Sequence, residues 1–167
     1  MNIEMLKRPL LFVVLVLVQV LVLNHVRLFG FGTPLLYVYF AISFRRGYAK
    51  WAVLLWSFLL GLCVDIFSNT PGVAAVSMTF VGLLQPYVLE LFMQRDSDDD
   101  ILPGVRSLGL VKYIVYALML SAVYCLVFFT VETFTFFNWL QWALSVVASL
   151  ALTLLLVVVV DNLRRDQ

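Results

Sequence analysis

Apolar residues in this chain come in runs of membrane length, separated by short polar segments. The runs are Leu10 to Val26, Leu28 to Phe44, Trp51 to Phe67, Val73 to Phe92, Tyr113 to Val131 and Trp139 to Val160. A helix rises about 1.5 Å per residue, so about 17 to 25 residues cross the hydrocarbon layer. The last three runs exceed that need, and the first three sit at its short limit. The pattern predicts an all-α membrane protein: a six-span transmembrane helical bundle forming a single transmembrane domain over 1–167. The second run is the least regular, because Gly30, Gly32 and Pro34 interrupt its start and only Thr33 to Phe44 reads as uninterrupted helix. A re-entrant or tilted short helix there would leave five full spans. Pro9, Pro34 and Pro71 fall where first-turn prolines belong, with Thr33 and Thr70 as N-caps before two of them. Tyr48, Trp51, Tyr113, Trp139 and Trp142 lie near predicted ends, as expected of amphipathic rings at headgroup depth.

Composition agrees with the runs. The chain is 63% hydrophobic and 13% charged, against about half and about a quarter in soluble domains. A soluble fold of this size leaves about a third of its unfolded surface wet, so the apolar excess must face lipid. The net charge of +1 says little as a total, but its placement sets orientation. With six spans and a cytoplasmic N-terminus, Lys7, Arg8, Arg45, Arg46, Lys50, Arg95, Arg106, Lys112, Arg164 and Arg165 are inside and only Arg27 is outside. Ten of the eleven basic residues then share one side, and both termini are cytoplasmic. The longest loop, Met93 to Lys112, is also inside. Nothing in the charge pattern suggests nucleic acid as a partner. The Lys7-Arg8 start resembles a secretory signal, but Leu23-Asn24-His25-Val26-Arg27 offers no small-residue cleavage site, so the first run reads as a retained span.

No catalytic constellation is legible, and the chain reads as a non-enzyme without cofactor or metal. His25 is the sole histidine, and neither GxSxG, HExxH nor a glycine-rich phosphate loop occurs. Cys63 and Cys125 lie in apolar runs and read as small buried hydrophobes. The acidic run Asp96, Asp98, Asp99, Asp100 fails as a calcium loop, since Ile101 and Ser107 stand where Gly and Glu are needed. It reads as a solvated charge block. Gly61 and Asp65 share a helix face, the glycine permitting close approach and the acid acting as a snorkelling anchor for Ser68 to Gly72. Pro86 should kink the fourth span, Gln85 helping to satisfy the carbonyl of Gly82, while Glu90 pairs with Arg95 or Lys112. Ala117, Ser121 and Cys125, and Ser145, Ser149 and Thr153, form small-residue stripes suited to close packing within the bundle or against another protein.

Taken in order, Gln19 and Asn24 ending the first span, Phe29-Gly30 and Pro34 opening the second, and Gly61-Leu62-Cys63-Val64-Asp65-Ile66-Phe67 followed by Thr70-Pro71-Gly72 resemble the rod shape-determining protein MreD family along essentially the whole chain. The acidic run is not a mark of that family. The resemblance implies a noncatalytic subunit of the bacterial cell-elongation complex in the cytoplasmic (inner) membrane. It would bind MreC and, through it, act with MreB, RodA and a penicillin-binding transpeptidase in lateral peptidoglycan synthesis. It also implies a fold similar to the substrate-binding subunits of energy-coupling-factor transporters, so the alternative function is capture of a vitamin-type solute. That alternative needs a polar-lined cavity, for which the spans offer Gln19, Asp65, Ser77, Gln85 and Ser121. Candidate structural or partner-contact residues are Gln19, Asn24, Pro34, Gly61, Asp65, Pro71, Gly72 and Gln85.

Overall fold

The computed structural model describes residues 3–26, 30, 32–96, 98, 100–134 and 138–165, the side chains of 4, 5 and 165 excepted. Arg27, Leu28, Phe29 and Asp99, which figured in the sequence reading, lie outside the described residues. The elements are α1 (Ile3–Leu21), a 3-10 turn (Leu23–His25), α2 (Val38–Ile42), α3 (Lys50–Ser68), α4 (Val73–Phe92), α5 (Val105–Leu108), α6 (Leu110–Thr133) and α7 (Trp139–Arg165). Five helical stretches are long and apolar enough to cross a membrane: Leu6–His25, Lys50–Ser68, Val73–Phe92, Leu110–Thr133 and Trp139–Arg164.

The continuous helix expected across the second run, 28–44, is corrected. Helix within its described part is confined to the five residues of α2. Gly30 has φ +76 and proline at 34 lacks an N–H, so a continuous helical ladder cannot propagate from the start of the run. Every residue from Pro34 to Phe44 is nonetheless buried. The segment lies inside the bundle and touches α1, α3, α4 and α6. Irregular backbone at membrane depth is tolerated only where protein surrounds it, because hydrocarbon supplies no hydrogen-bond partners.

Around this segment α3 packs on α4, α4 on α6, α6 on α7 and α1 on α3. Side-chain contacts fix the relative heights. Gln19 of α1 reaches Pro34, Phe12 meets Phe40 with centroids 5.7 Å apart, and Arg8 lies over Phe44. The buried segment therefore runs antiparallel to α1 over the Arg8–Gln19 interval, about 16 Å of helical rise. Asn24 bonds Ser68 at 2.6 Å, aligning the ends of α1 and α3. Aromatic edges fill the interior: Tyr37 against Tyr124, and Phe40 against Phe44 and Phe12.

Several local expectations also change. Helix α1 begins at Ile3, so Pro9 sits inside it rather than in its first turn. Tyr113 is fully buried and belongs to the core, whereas Trp51 and Trp139 are 71% and 70% exposed and do stand at helix ends. Glu90 is exposed, and among the described residues no ion pair joins it to Arg95 or Lys112. Cys63 and Cys125 are free, the first half-buried and the second buried.

Candidate functional site

The buried polar residues that complete backbone left unpaired by helices form two groups and a separate outlier. Near the Asn24 end, the Gln19 amide serves the buried segment from both of its atoms. Its Nε2 donates to the Pro34 carbonyl at 3.0 Å and to Asn24 Oδ1 at 3.0 Å, while its Oε1 accepts from the Leu36 N–H at 3.0 Å. Asn24 passes the chain on to Ser68. From the opposite side, α7 contributes acceptors: Ser149 Oγ takes the Thr33 N–H at 3.1 Å and Thr153 Oγ1 takes the Leu35 N–H at 3.2 Å. Ser149 and Thr153 were read as packing residues, and their hydroxyls do more than fit closely. Their four-residue spacing on a Leu/Val-rich helix was the available signal; the partner, a stretch more than a hundred residues earlier, was not.

Lower in the bundle, Gln85 of α4 stands apart from these groups. Its Nε2 donates to the Phe44 carbonyl at 3.1 Å and to the Tyr116 hydroxyl at 3.0 Å, and that hydroxyl donates to the Ile42 carbonyl at 3.1 Å. This corrects the expected role of Gln85 beside Pro86: its amide donates to the Phe44 carbonyl of the buried segment and to the Tyr116 hydroxyl of α6, not to Gly82. Tyr116 was missed because a tyrosine within an apolar run reads as core until a carbonyl is found opposite it.

Asp65 organises the second group. The turn Thr70-Pro71-Gly72 delivers the chain into α4, with Gly72 at φ 82, ψ −8, the left-handed position that follows proline in a type II turn. Gly72 is the N-cap of α4 and has no side chain to cap it. Asp65, from α3, supplies the missing acceptors. Its Oδ1 accepts from the Ala74 N–H and its Oδ2 from the Ala75 N–H, both at 2.9 Å, and the Thr70 hydroxyl donates to Oδ1 at 2.9 Å. A carboxylate across a helix N-terminus satisfies orphan donors and opposes the helix dipole. The snorkelling role expected of Asp65 is therefore corrected, since the residue is 4% exposed and turned inward. The N-cap expected of Thr70 is likewise corrected. Gly61 makes the approach feasible: a Cβ there would stand 2.6 Å from both the Ala74 carbonyl oxygen and the Ala75 Cα.

Beside both groups, at the Asn24 end, a cavity of about 670 Å³ opens between α1, α3, α6 and α7. Asn24, Thr33, Ser68, Thr70, Glu132 and Gln141 supply polar lining, and Phe128, Phe129 and Trp142 supply aromatic walls. The Trp142 Nε1 is buried without a hydrogen-bond acceptor among the described residues. The expectation that solute-binding groups would be Gln19, Asp65, Ser77, Gln85 and Ser121 does not match this cavity, which none of them lines. Four of the five bond within the bundle: Ser77 donates to the Val73 carbonyl at 2.7 Å, and Gln19, Asp65 and Gln85 bond as above. Ser121 is fully buried with its Oγ unpartnered among the described residues. Comparison with protein-family models, curated proteins and solved structures finds no match to this chain.

Proposed function

We propose that the chain is a noncatalytic membrane subunit that works through helix and loop contacts, as a member of the bacterial cell-elongation complex of the MreD type. The observation that carries this reading is the employment of the interior polar groups. Gln19, Asp65, Gln85, Tyr116, Ser149 and Thr153 all complete backbone hydrogen bonding, which is the chemistry of a rigid platform rather than of a reaction centre. The outer helices supply contact surface: 17% of the apolar stretch of α1 and 22% of that of α7 is buried, against 39–44% for α3, α4 and α6. In this reading the buried segment completes a sixth crossing, both termini are cytoplasmic, the membrane is the bacterial inner membrane, and MreC is the direct partner, with MreB, RodA and a penicillin-binding transpeptidase reached through it.

A second reading, a solute-binding subunit of a vitamin-type transporter, is favoured by one feature, the cavity of about 670 Å³ at the Asn24 end. Its size suits a small organic molecule. Affinity purification from detergent extracts separates the two. Recovery of elongation proteins, with loss of rod shape on depletion of the chain, supports the first. Recovery of a coupling ATPase module with bound solute and normal cell shape would overturn it in favour of the second.

A further inference from the structure

The cavity of about 670 Å³ at the Asn24 end has the size of a small-molecule site, for which about 300–1,000 Å³ is usual. Among its described lining residues, formal charge is confined to Glu132 and the titratable His25, and both are exposed. Half-buried Asn24, Thr33, Ser68, Thr70 and Ser145 contribute only amide and hydroxyl groups. An ion drawn in among them would give up hydration with no counter-charge beside it, whereas a neutral polar guest would exchange water for hydrogen bonds. The directions of the bonds already made fix what these groups have left. Asn24 Nδ2 donates to Ser68 Oγ at 2.6 Å, so the Ser68 proton remains to be donated. The Thr70 hydroxyl gives its proton to Asp65, so its oxygen remains to accept. A donor and an acceptor thus stand two residues apart at the end of α3, which is the pattern an amide edge, with its C=O and N–H, can meet.

The rest of the lining is aromatic. Phe128 stacks on Tyr124 with centroids 5.6 Å apart and an interplanar angle of 25°, and Phe129 meets Phe128 edge-on at 5.4 Å. Trp142 lines the cavity from α7 and joins none of the ring pairs among the described residues, so its indole is available to pack against a flat guest. From the uncharged amide and hydroxyl lining and the aromatic walls, we infer that the cavity binds an uncharged, flat heterocycle with an amide or lactam edge, its ring beside Trp142 and Phe128 and its edge toward Ser68 and Thr70. This rests on the solute-binding reading of the cavity, whose ligand class it names, and does not depend on the cell-elongation reading.

The test is equilibrium dialysis of the purified full chain in neutral detergent, with protein-free micelles as the blank, against three bicyclic probes. These are quinazolinone, an uncharged lactam, quinolinecarboxylate, an anion, and N-methylquinolinium, a cation. Quinazolinone should bind, and the two charged probes should bind at least about tenfold more weakly. Ser68→Ala removes the unused donor and should weaken quinazolinone by about threefold to tenfold, the loss of one neutral hydrogen bond. Ser145→Phe fills the cavity and should abolish binding. Gln141 also lines the cavity and is exposed, so Gln141→Trp supplies a second blocking variant should Ser145→Phe not fold. Equal or tighter binding of either charged probe would overturn the ligand class while leaving the cavity a solute site. An unaltered affinity in Ser68→Ala would overturn the placement of the lactam edge. Binding that survives the blocking variant, or no binding of any probe beyond that of empty micelles, would remove the site and the solute-binding reading with it.

Discussion

Asp65 caps a helix to which it does not belong. Because Gly72 brings no side chain to the start of α4, the carboxylate of the preceding helix takes the Ala74 and Ala75 N–H groups. Replacing it by alanine strands two buried donors, and the expected loss is about 2–4 kcal/mol, with Asp65→Asn intermediate because an amide presents one acceptor oxygen. Thermal melting in detergent checks this, and an Asp65→Ala protein that melts with the parent would rule out the cap. The two glycines nearby make a contrast. Gly61→Ala drives a methyl to 2.6 Å from the backbone of α4 and should cost about 1–3 kcal/mol through separation of α3 and α4. Gly72→Ala meets nothing within 4 Å but keeps φ +82, so it carries only the left-handed penalty, about 1–2 kcal/mol. A Gly61→Ala protein that melts with the parent would contradict the close crossing. The four-residue spacing of Gly61 and Asp65 was legible in the sequence as a shared helix face. That the acid faced inward was not, since its partners are backbone amides, which every residue sequence contains alike.

Among the elements, the segment from Pro34 to Phe44 departs furthest from expectation. Gly30, Gly32 and Pro34 marked the weakness at the start of its helix, whereas the uninterrupted helix expected from Thr33 to Phe44 shrinks to Val38–Ile42 and the burial of the segment was not read from the sequence. What replaced the helix was invisible locally, because the partners of its N–H and C=O groups come from α1, α4, α6 and α7. Thr153→Val keeps the shape and removes the acceptor of the Leu35 N–H, and Gln19→Leu removes partners of both Pro34 and Leu36. Each should lower stability by about 1–3 kcal/mol, and amide exchange at Leu35 and Leu36 should quicken. Because both substitutions release the same short stretch, the double variant should lose less than the sum of the singles. Strict additivity would mean that the two side chains hold unrelated pieces of structure.

For the molecule as a whole, the runs of apolar residues revealed a helical membrane protein, and five of them became helices of spanning length. The large cavity was not foreseen, because residues from four helices meet there only after folding. Orientation is a property of the whole molecule, read out at its loops. An engineered Cys at Asn138 should react with a reagent excluded from the cytoplasm, and one at Asp98 should not; the reverse result would invert the proposed topology.

The buried segment also bears on how the polypeptide is made. A stretch whose Leu35 and Leu36 N–H groups and Ile42 and Phe44 carbonyls are paired from other helices is a poor substrate for release into lipid by the insertion machinery. Its partners on α6 and α7, Tyr116, Ser149 and Thr153, are synthesised long after it leaves the ribosome. Nascent chains halted after Phe92 should therefore leave Pro34 to Phe44 accessible to aqueous thiol reagents at introduced cysteines, and protection should arise only once α7 has emerged.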